Sequence, residues 1–244
     1  MAAPLASANL RSSKAMERAA PPAAPASAPI SFDARVFEGS HATEFVLPQR
    51  ITVPSSGDKV TLALGEHRLD AKVVVRTTPA QDPSAYLIAS LALPDGVWPN
   101  GMVTLYRDGT YVGQTRLQAD QLASTGLGFG RDERVDVRRL PGQKMEGRTG
   151  LIGGRQQRQL QAAWEVRNRH SNPITLQVLD AAPVAEQQDI QVVSRYTPQP
   201  TSTRWNEQPG TVAWELTLPA GATEQMAAEH TISWPKDMRL QERR

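Results

Sequence analysis

Residues Gly101–Arg139 read GMVTLYRDGTYVGQTRLQADQLASTGLGFGRDERVDVRR, and the fold follows from how this stretch is parsed. Asp108-Gly109 sits between two runs of strand-forming residues. A two-residue hairpin loop matching the strand twist needs positive φ at both central positions, which Asp-Gly supplies at low steric cost. Val103 and Leu105 precede the turn, and Tyr111 and Val112 follow it. Downstream, Val135 and Val137 alternate with Asp136 and Arg138, a period of two that marks a further half-buried strand. The expected class is all-β.

Working outward, the same signals recur every eight to twelve residues or so, as in a sandwich or barrel. Glu44–Leu47 reads as a first strand stopped by Pro48, and Ile51–Val53 as a second ending in the Ser55-Ser56-Gly57-Asp58 turn. Val60, Leu62 and Leu64 share one face of a third. Val73–Val75 is apolar on both faces and reads as a central strand, and Ala85–Leu93 as its neighbour. Residues 156–163 carry helix-favouring Gln, Arg, Leu and Ala. They are nonetheless read as strand, because Trp164 and Val166 continue them in alternation with Glu165 and Arg167. Asn172-Pro173 then turns the chain so that Ile174, Leu176 and Val178 return antiparallel, and Thr211–Leu218 with Glu224–Trp234 forms a last hairpin about Pro219-Ala220-Gly221.

The expected organisation is two antiparallel β-sandwich domains in tandem, at 43–140 and 151–238. A Gly-rich junction at 141–150 separates them, a disordered Ala/Pro-rich tether at 1–42 precedes them, and a disordered tail at 239–244 follows. The tether draws 11 Ala and 5 Pro from its first 29 residues, a mixture that builds no apolar face. Arg11, Lys14, Glu17 and Arg18 interrupt the place where a signal peptide would carry its apolar core. No run is long enough to span a bilayer as a helix. A tether at a chain start leads to the expectation that a further segment precedes it in a longer protein.

The 244-residue chain has no cysteine, so disulfides, thiolate metal sites and thiol nucleophiles are excluded. His41, His67, His170 and His230 lie in separate segments without metal-ligand spacing. The first three read as solvated turn histidines and His230 as the one expected in the core. Gly126, Gly128 and Gly130 lack the following helix of a dinucleotide loop and the Gly-Lys-Ser/Thr of a phosphate loop. Gly147, Gly150, Gly153 and Gly154 read as a flexible junction. No Gly-x-Ser-x-Gly elbow occurs, and Asp132, Glu133 and Asp136 fall on outward faces. No catalytic, cofactor or metal residue is therefore assigned.

Charge is more informative. The net charge is +2, yet Arg131 to Arg169 holds 10 Lys/Arg against 5 acids, leaving −3 for the rest. Arg134, Arg138, Arg139, Arg155, Arg158 and Arg167 are the candidate contact residues for a polyanion such as an acidic polysaccharide, provided Arg138, Arg158 and Arg167 share one sheet face. The competing reading is that these arginines protect sheet edges from aggregation. Nucleic acid is not expected, because the few Trp and Tyr fall at core-facing positions and offer no stacking platform.

TLALGEHRLDA, LYRDGTYVGQTRL, LGFGRDERVDVRR, VRNRHSNPITLQVLDAAPV, VAWELTLPAG and ISWPKD, in this order, resemble the C-terminal domain of unknown function of the bacterial mucoidy inhibitor A family. Tyr106-Arg107-Asp108-Gly109, Phe129-Gly130-Arg131-Asp132, Asn168, Asp180 with Pro183, Trp214 and Trp234-Pro235-Lys236 carry the likeness. The resemblance implies an all-β domain, the C-terminal part of an envelope-associated protein with an N-terminal domain and a coiled coil before it. It implies no catalytic residues. The leading expectation is a non-catalytic interaction module with a protein partner, in the periplasm or cell envelope, with the cytoplasm as the alternative location. A polyanion-binding module is the second reading, and a hydrolase built from scattered strand residues the third.

Overall fold

The structure, a computed structural model, describes residues 30–31, 35–38, 43–46, 50–53, 55–57, 62–140, 148–152 and 155–238. The chain divides into two compact units, Met1–His67 and Arg68–Arg244.

In the first unit, β1 (Ile30–Ser31) pairs in parallel with β4 (Leu62–Ala63), and β2 (Arg35–Glu38) pairs antiparallel with β3 (Thr43–Val46). The expected tether therefore contains strand at its C-terminal end, while residues 1–29 lie outside those described, as do His41 and the tail at 239–244. Ile51–Val53 forms no strand: Val53 is exposed, and apolar β-branched residues without a ladder partner have no reason to stay extended and paired.

The second unit is a β-sandwich of two five-stranded sheets plus one hairpin. One sheet is built from β5 (Ala71–Thr78), β6 (Asp82–Leu91), β9 (Leu127–Arg131), β13 (Ile174–Ala181) and β15 (Thr211–Leu218), in the order β15-β13-β5-β6-β9. The other holds β10 (Val135–Arg139), β12 (Arg155–Asn168), β16 (Thr223–Pro235) and β14 (Gln191–Thr197) in that order, with β11 (Arg148–Ile152) also paired to β12. β7 (Gly101–Arg107) and β8 (Thr110–Leu117) form the hairpin, with Asp108 at φ 50° and Gly109 at φ 77°, as the Asp-Gly pair requires. A short helix, α1 (Leu122–Thr125), follows it.

Val75, Ala85, Leu176, Val178, Val212, Trp214 and Leu218 from the first sheet meet Val135, Trp164, Val166, Met226 and Ala228 from the second in one core. Alternation selects them: at β12, Trp164, Val166 and Asn168 point inward from consecutive even positions. Fully burying each large apolar side chain is worth about 1.5–3 kcal/mol, so this shared face is what holds the two sheets together. β5 is the middle strand of its sheet, as its doubly apolar sequence indicates, and residues 156–163 are strand throughout.

The observed division differs from the expected tandem pair. β10 before the Gly-rich segment pairs with β12 after it, and β5 pairs in parallel with β13, a contact spanning about a hundred residues. Part of the segment is itself strand, since Gly150 lies opposite Gln157 in the β11–β12 ladder; 141–147 and 153–154 lie outside the described residues. Local turn signals reveal hairpins, and such long-range partnerships leave no local trace.

Two expected hairpins are arches instead. β12 and β13 flank the Asn172-Pro173 turn but lie in different sheets, as do β15 and β16 around Pro219–Gly221. Both arches are tied by Asn168, which is fully buried. Its Nδ2 donates to the carbonyls of Asn172 at 3.1 Å, Leu218 at 3.0 Å and Pro219 at 3.0 Å, and its Oδ1 accepts from the His170 amide at 2.8 Å. One carboxamide thus satisfies backbone groups freed where both arches leave their ladders.

Candidate binding cleft

β12 and β16 run for 14 and 13 residues, whereas β13 and β15 in the facing sheet run for 8 each. The longer pair overhangs one end of the sandwich. Beyond Trp164, the inward positions of β12 continue as Ala162, Leu160 and Arg158, with His230 of β16 opposite Leu160. The facing strand β13 ends there at Ala181, just after Asp180. A cleft of about 600 Å³ opens between these surfaces, and Arg139, Arg158, Leu160, Trp164, Asp180 and His230 line it. Arg139 reaches it because β10 places it opposite Trp164.

Asp180 is 7% exposed. Burial pushes its carboxyl up to about 6, against the opposing pulls of the Ala181 amide and the Arg139 guanidinium. His230 is buried as expected, which lowers its imidazole from the ordinary value and favours the neutral ring. Ser194 Oγ lies 2.8 Å from its Nδ1, and Tyr196 packs edge-on against it at 5.8 Å. Where the Ser194 hydroxyl donates to Nδ1, the proton of the neutral ring sits on Nε2. The Trp164 indole N–H is buried with no hydrogen-bond partner among the described residues.

The six candidate arginines do not form one patch. Arg138 and Arg167 lie on the outer face of the second sheet, while Arg158 has the opposite parity on β12 and faces inward. Arg138 is committed to Glu165, with Nη2 at 2.5 Å and Nε at 2.8 Å from Oε1. Gln225 and Arg138 together hold the Glu165 carboxyl below its usual range. Arg155 donates to the carbonyls of Asp189 and Ser233. Arg134 is exposed in the turn before β10, where its amide donates to Asp132 Oδ1 at 3.1 Å. Only Arg139 and Arg158 of the six line the cleft. Reading β12 strictly by parity would have put Arg158 on the Trp164 face, whereas the meeting with Asp180 and His230 has no sequence signal beyond the alternation of each strand.

Other expectations change as well. His170 is not solvated, and Asp132 does not face outward: Asp132 is 8% exposed, and its two carboxylate oxygens lie 3.0 and 2.8 Å from His170 Nε2. The two residues are brought together because β10 and β12 pair, with Asp132 just before one strand and His170 just after the other. Tyr86, Tyr106 and Tyr111 are exposed rather than core-facing. On the hairpin, Tyr106 and Tyr111 are cross-strand partners in edge contact at 6.0 Å, and Met102 lies exposed on the same face. Among the described residues no group of three or more His, Asp or Glu could hold a metal, and no helix is long and apolar enough to cross a membrane.

The family described as Domain of unknown function (DUF4139) matches residues 5–236. No curated protein and no solved structure matches the chain.

Proposed function

Because the chain belongs to the DUF4139 family of domains of unknown function, its role has to be argued from its own surface, and we propose that it is a non-catalytic interaction module that docks a protein partner through the β7–β8 hairpin. The exposed face of that hairpin carries the reading. Met102, Tyr106 and Tyr111 are 65%, 60% and 56% exposed on one side of a two-stranded ribbon that belongs to neither large sheet. Tyr and Met are enriched at protein interfaces, Tyr because it offers large contact area at small ordering cost and Met because its flexible thioether adapts to the surface it meets. The opposite side of the ribbon anchors it, with Leu105 buried.

The resemblance to mucoidy inhibitor A proteins supports a place in the bacterial envelope. A photo-crosslinking residue placed at Tyr106 or Tyr111, and at Val193 as a distant exposed control, tests the docking reading in cells producing the whole protein. Adducts confined to the hairpin positions are expected. Adducts equal at all three positions, or none at the hairpin, refute it.

Polyanion binding is the second reading, favoured by the convergence of Arg139 and Arg158 on one cleft. Retention on an acidic polysaccharide matrix should fall with salt and be lost in an Arg139→Gln, Arg158→Gln double variant. The hydrolase reading has less support: Asp180 has no second carboxylate beside it among the residues lining the cleft, so a two-carboxylate mechanism lacks its other half.

A further inference from the structure

We propose that the β7–β8 hairpin docks against the same hairpin of a second copy of this chain, the two exposed faces packed about a two-fold axis that crosses the Thr104–Gln114 row. This deepens the docking reading by naming the partner, and it rests on that reading for the choice of face.

The register fixes what the face presents. Met102 lies opposite Arg116, Thr104 opposite Gln114 and Tyr106 opposite Tyr111, and all six are exposed. Cross-strand partners project from one face of a sheet, so these residues form three successive rows from the base of the hairpin towards its Asp108-Gly109 tip. A two-fold axis across the strands at the middle row reverses their direction and lays β7 over β7 and β8 over β8. Met102 of one copy then meets Tyr106 of the other, and Arg116 meets Tyr111, each contact occurring twice. A thioether against an aromatic ring and a guanidinium over one are both favourable. Tyr106 and Tyr111 stand in edge contact with 70° between their ring planes, so together they offer a partner both ring face and ring edge. The middle rows bring Gln114 to Gln114 and Thr104 to Thr104, where each side chain can both donate and accept.

Charge also selects a like partner. Arg116 is the one charged residue in the three rows, and it has no ion pair or hydrogen bond among the described residues. The two-fold axis sets the two Arg116 side chains four residue spacings apart along the strands, about 14 Å. That exceeds the screening length of roughly 8 Å at physiological salt, so their repulsion is small and each cation lies over an aromatic ring instead. An unrelated partner would have to supply an aromatic group for Arg116 and a cation or thioether for the tyrosines; a second copy supplies both in register. Size sets the strength. A two-stranded ribbon of seven residues measures about 24 Å by 10 Å, or roughly 250 Å² per copy, against the roughly 800 Å² per partner of a stable complex. The dimer is therefore a weak one.

Sedimentation velocity of the purified full chain from about 10 µM to about 1 mM, with photo-crosslinking from a reactive residue placed at Thr104, tests the proposal. The sedimentation coefficient is expected to rise with concentration, and irradiation to give an adduct of twice the chain mass. Arg116→Gln removes both cation–aromatic contacts and should weaken association roughly 5- to 30-fold, whereas Arg195→Gln, the same charge change on β14, should leave it unchanged. A chain that stays single at the highest concentration and gives no two-chain adduct overturns the proposal. So does self-association that ignores Arg116→Gln or survives Tyr106→Ser with Tyr111→Ser. Hairpin adducts with a different protein in cells, beside a purified chain that stays single, would leave the docking reading standing and overturn this inference alone; absence of hairpin adducts of any mass removes both.

Discussion

Replacing Asn168 by leucine keeps the branched outline and heavy-atom count of a fully buried side chain and removes every polar atom that ties the two arches. Three carbonyls lose a shared donor and the His170 amide loses an acceptor. Nδ2 has only two hydrogens, so at most two of the three carbonyls are bonded at full strength at any moment. The Leu218 carbonyl bond is buried, and an acceptor stranded there costs about 1–3 kcal/mol; the part-buried groups at Asn172, Pro219 and His170 can recruit water and cost about 0.5–1 kcal/mol each. Leucine gains some apolar burial in return, and the net loss is expected near 3 kcal/mol. For a unit of this size that corresponds to a fall of roughly 6–12 °C in Tm. Urea unfolding of wild type, Asn168→Leu and the control Asn172→Ala measures it. Asn172 is exposed and, among the described residues, its side chain donates only to the Pro173 carbonyl, so the control should stay within about 0.5 kcal/mol of wild type. An Asn168→Leu loss below about 1 kcal/mol would show that the arches do not depend on this carboxamide.

Asp180→Asn should alter the pH dependence of stability. Because the folded carboxyl titrates at about 6 and the unfolded one near 3.8, the folded state holds this proton more tightly. That contribution is fully present below the unfolded value and is lost as pH rises through 6, so the variant should match wild type in acid and exceed it at pH 7.5 by on the order of 2 kcal/mol. A variant less stable than wild type at pH 7.5 contradicts this. Gly126→Ala should cost more than about 2 kcal/mol, since φ is +72° and the new Cβ would fall 2.6 Å from Ile88 Cγ2 and 3.0 Å from the Ala89 carbonyl; an unfolding midpoint unchanged from wild type would refute the packing described there. Tyr106→Ser with Tyr111→Ser should leave the unfolding free energy within about 1 kcal/mol while removing the crosslinks formed by a photo-reactive residue placed instead at the exposed Met102 on the same face, and a large loss of stability would mean that the pair serves the fold rather than a partner.

Strand identity was legible in the sequence because it is a local property. The Asp108-Gly109 turn, the alternation at Val135 and Val137, and the run from Arg155 to Asn168 each depend on neighbours within a few residues. The helix-favouring composition of 156–163 yielded to its place between β10, β11 and β16, an instance of tertiary context overriding propensity. The candidate site was legible only in pieces. The Arg-rich segment pointed to Arg139 and Arg158, but it also pointed to Arg138, which spends its charge on Glu165. Asp132 and His170 read as two solvated groups because nothing local joins residues 38 positions apart.

By itself, then, the chain's order of residues determined an all-β class and many of its strands, Ile51–Val53 excepted, together with the reversal at Asp108-Gly109 and the exclusion of thiol chemistry. Which strands become neighbours was decided in three dimensions. Turns around Asn172-Pro173 and Pro219–Gly221 are equally compatible with a hairpin or an arch, and burying Trp164 and Trp214 against each other's sheets favours the arch. The same packing makes β12 and β16 overrun their facing strands, and only that difference in length brings Arg158, Asp180 and His230 to one cleft.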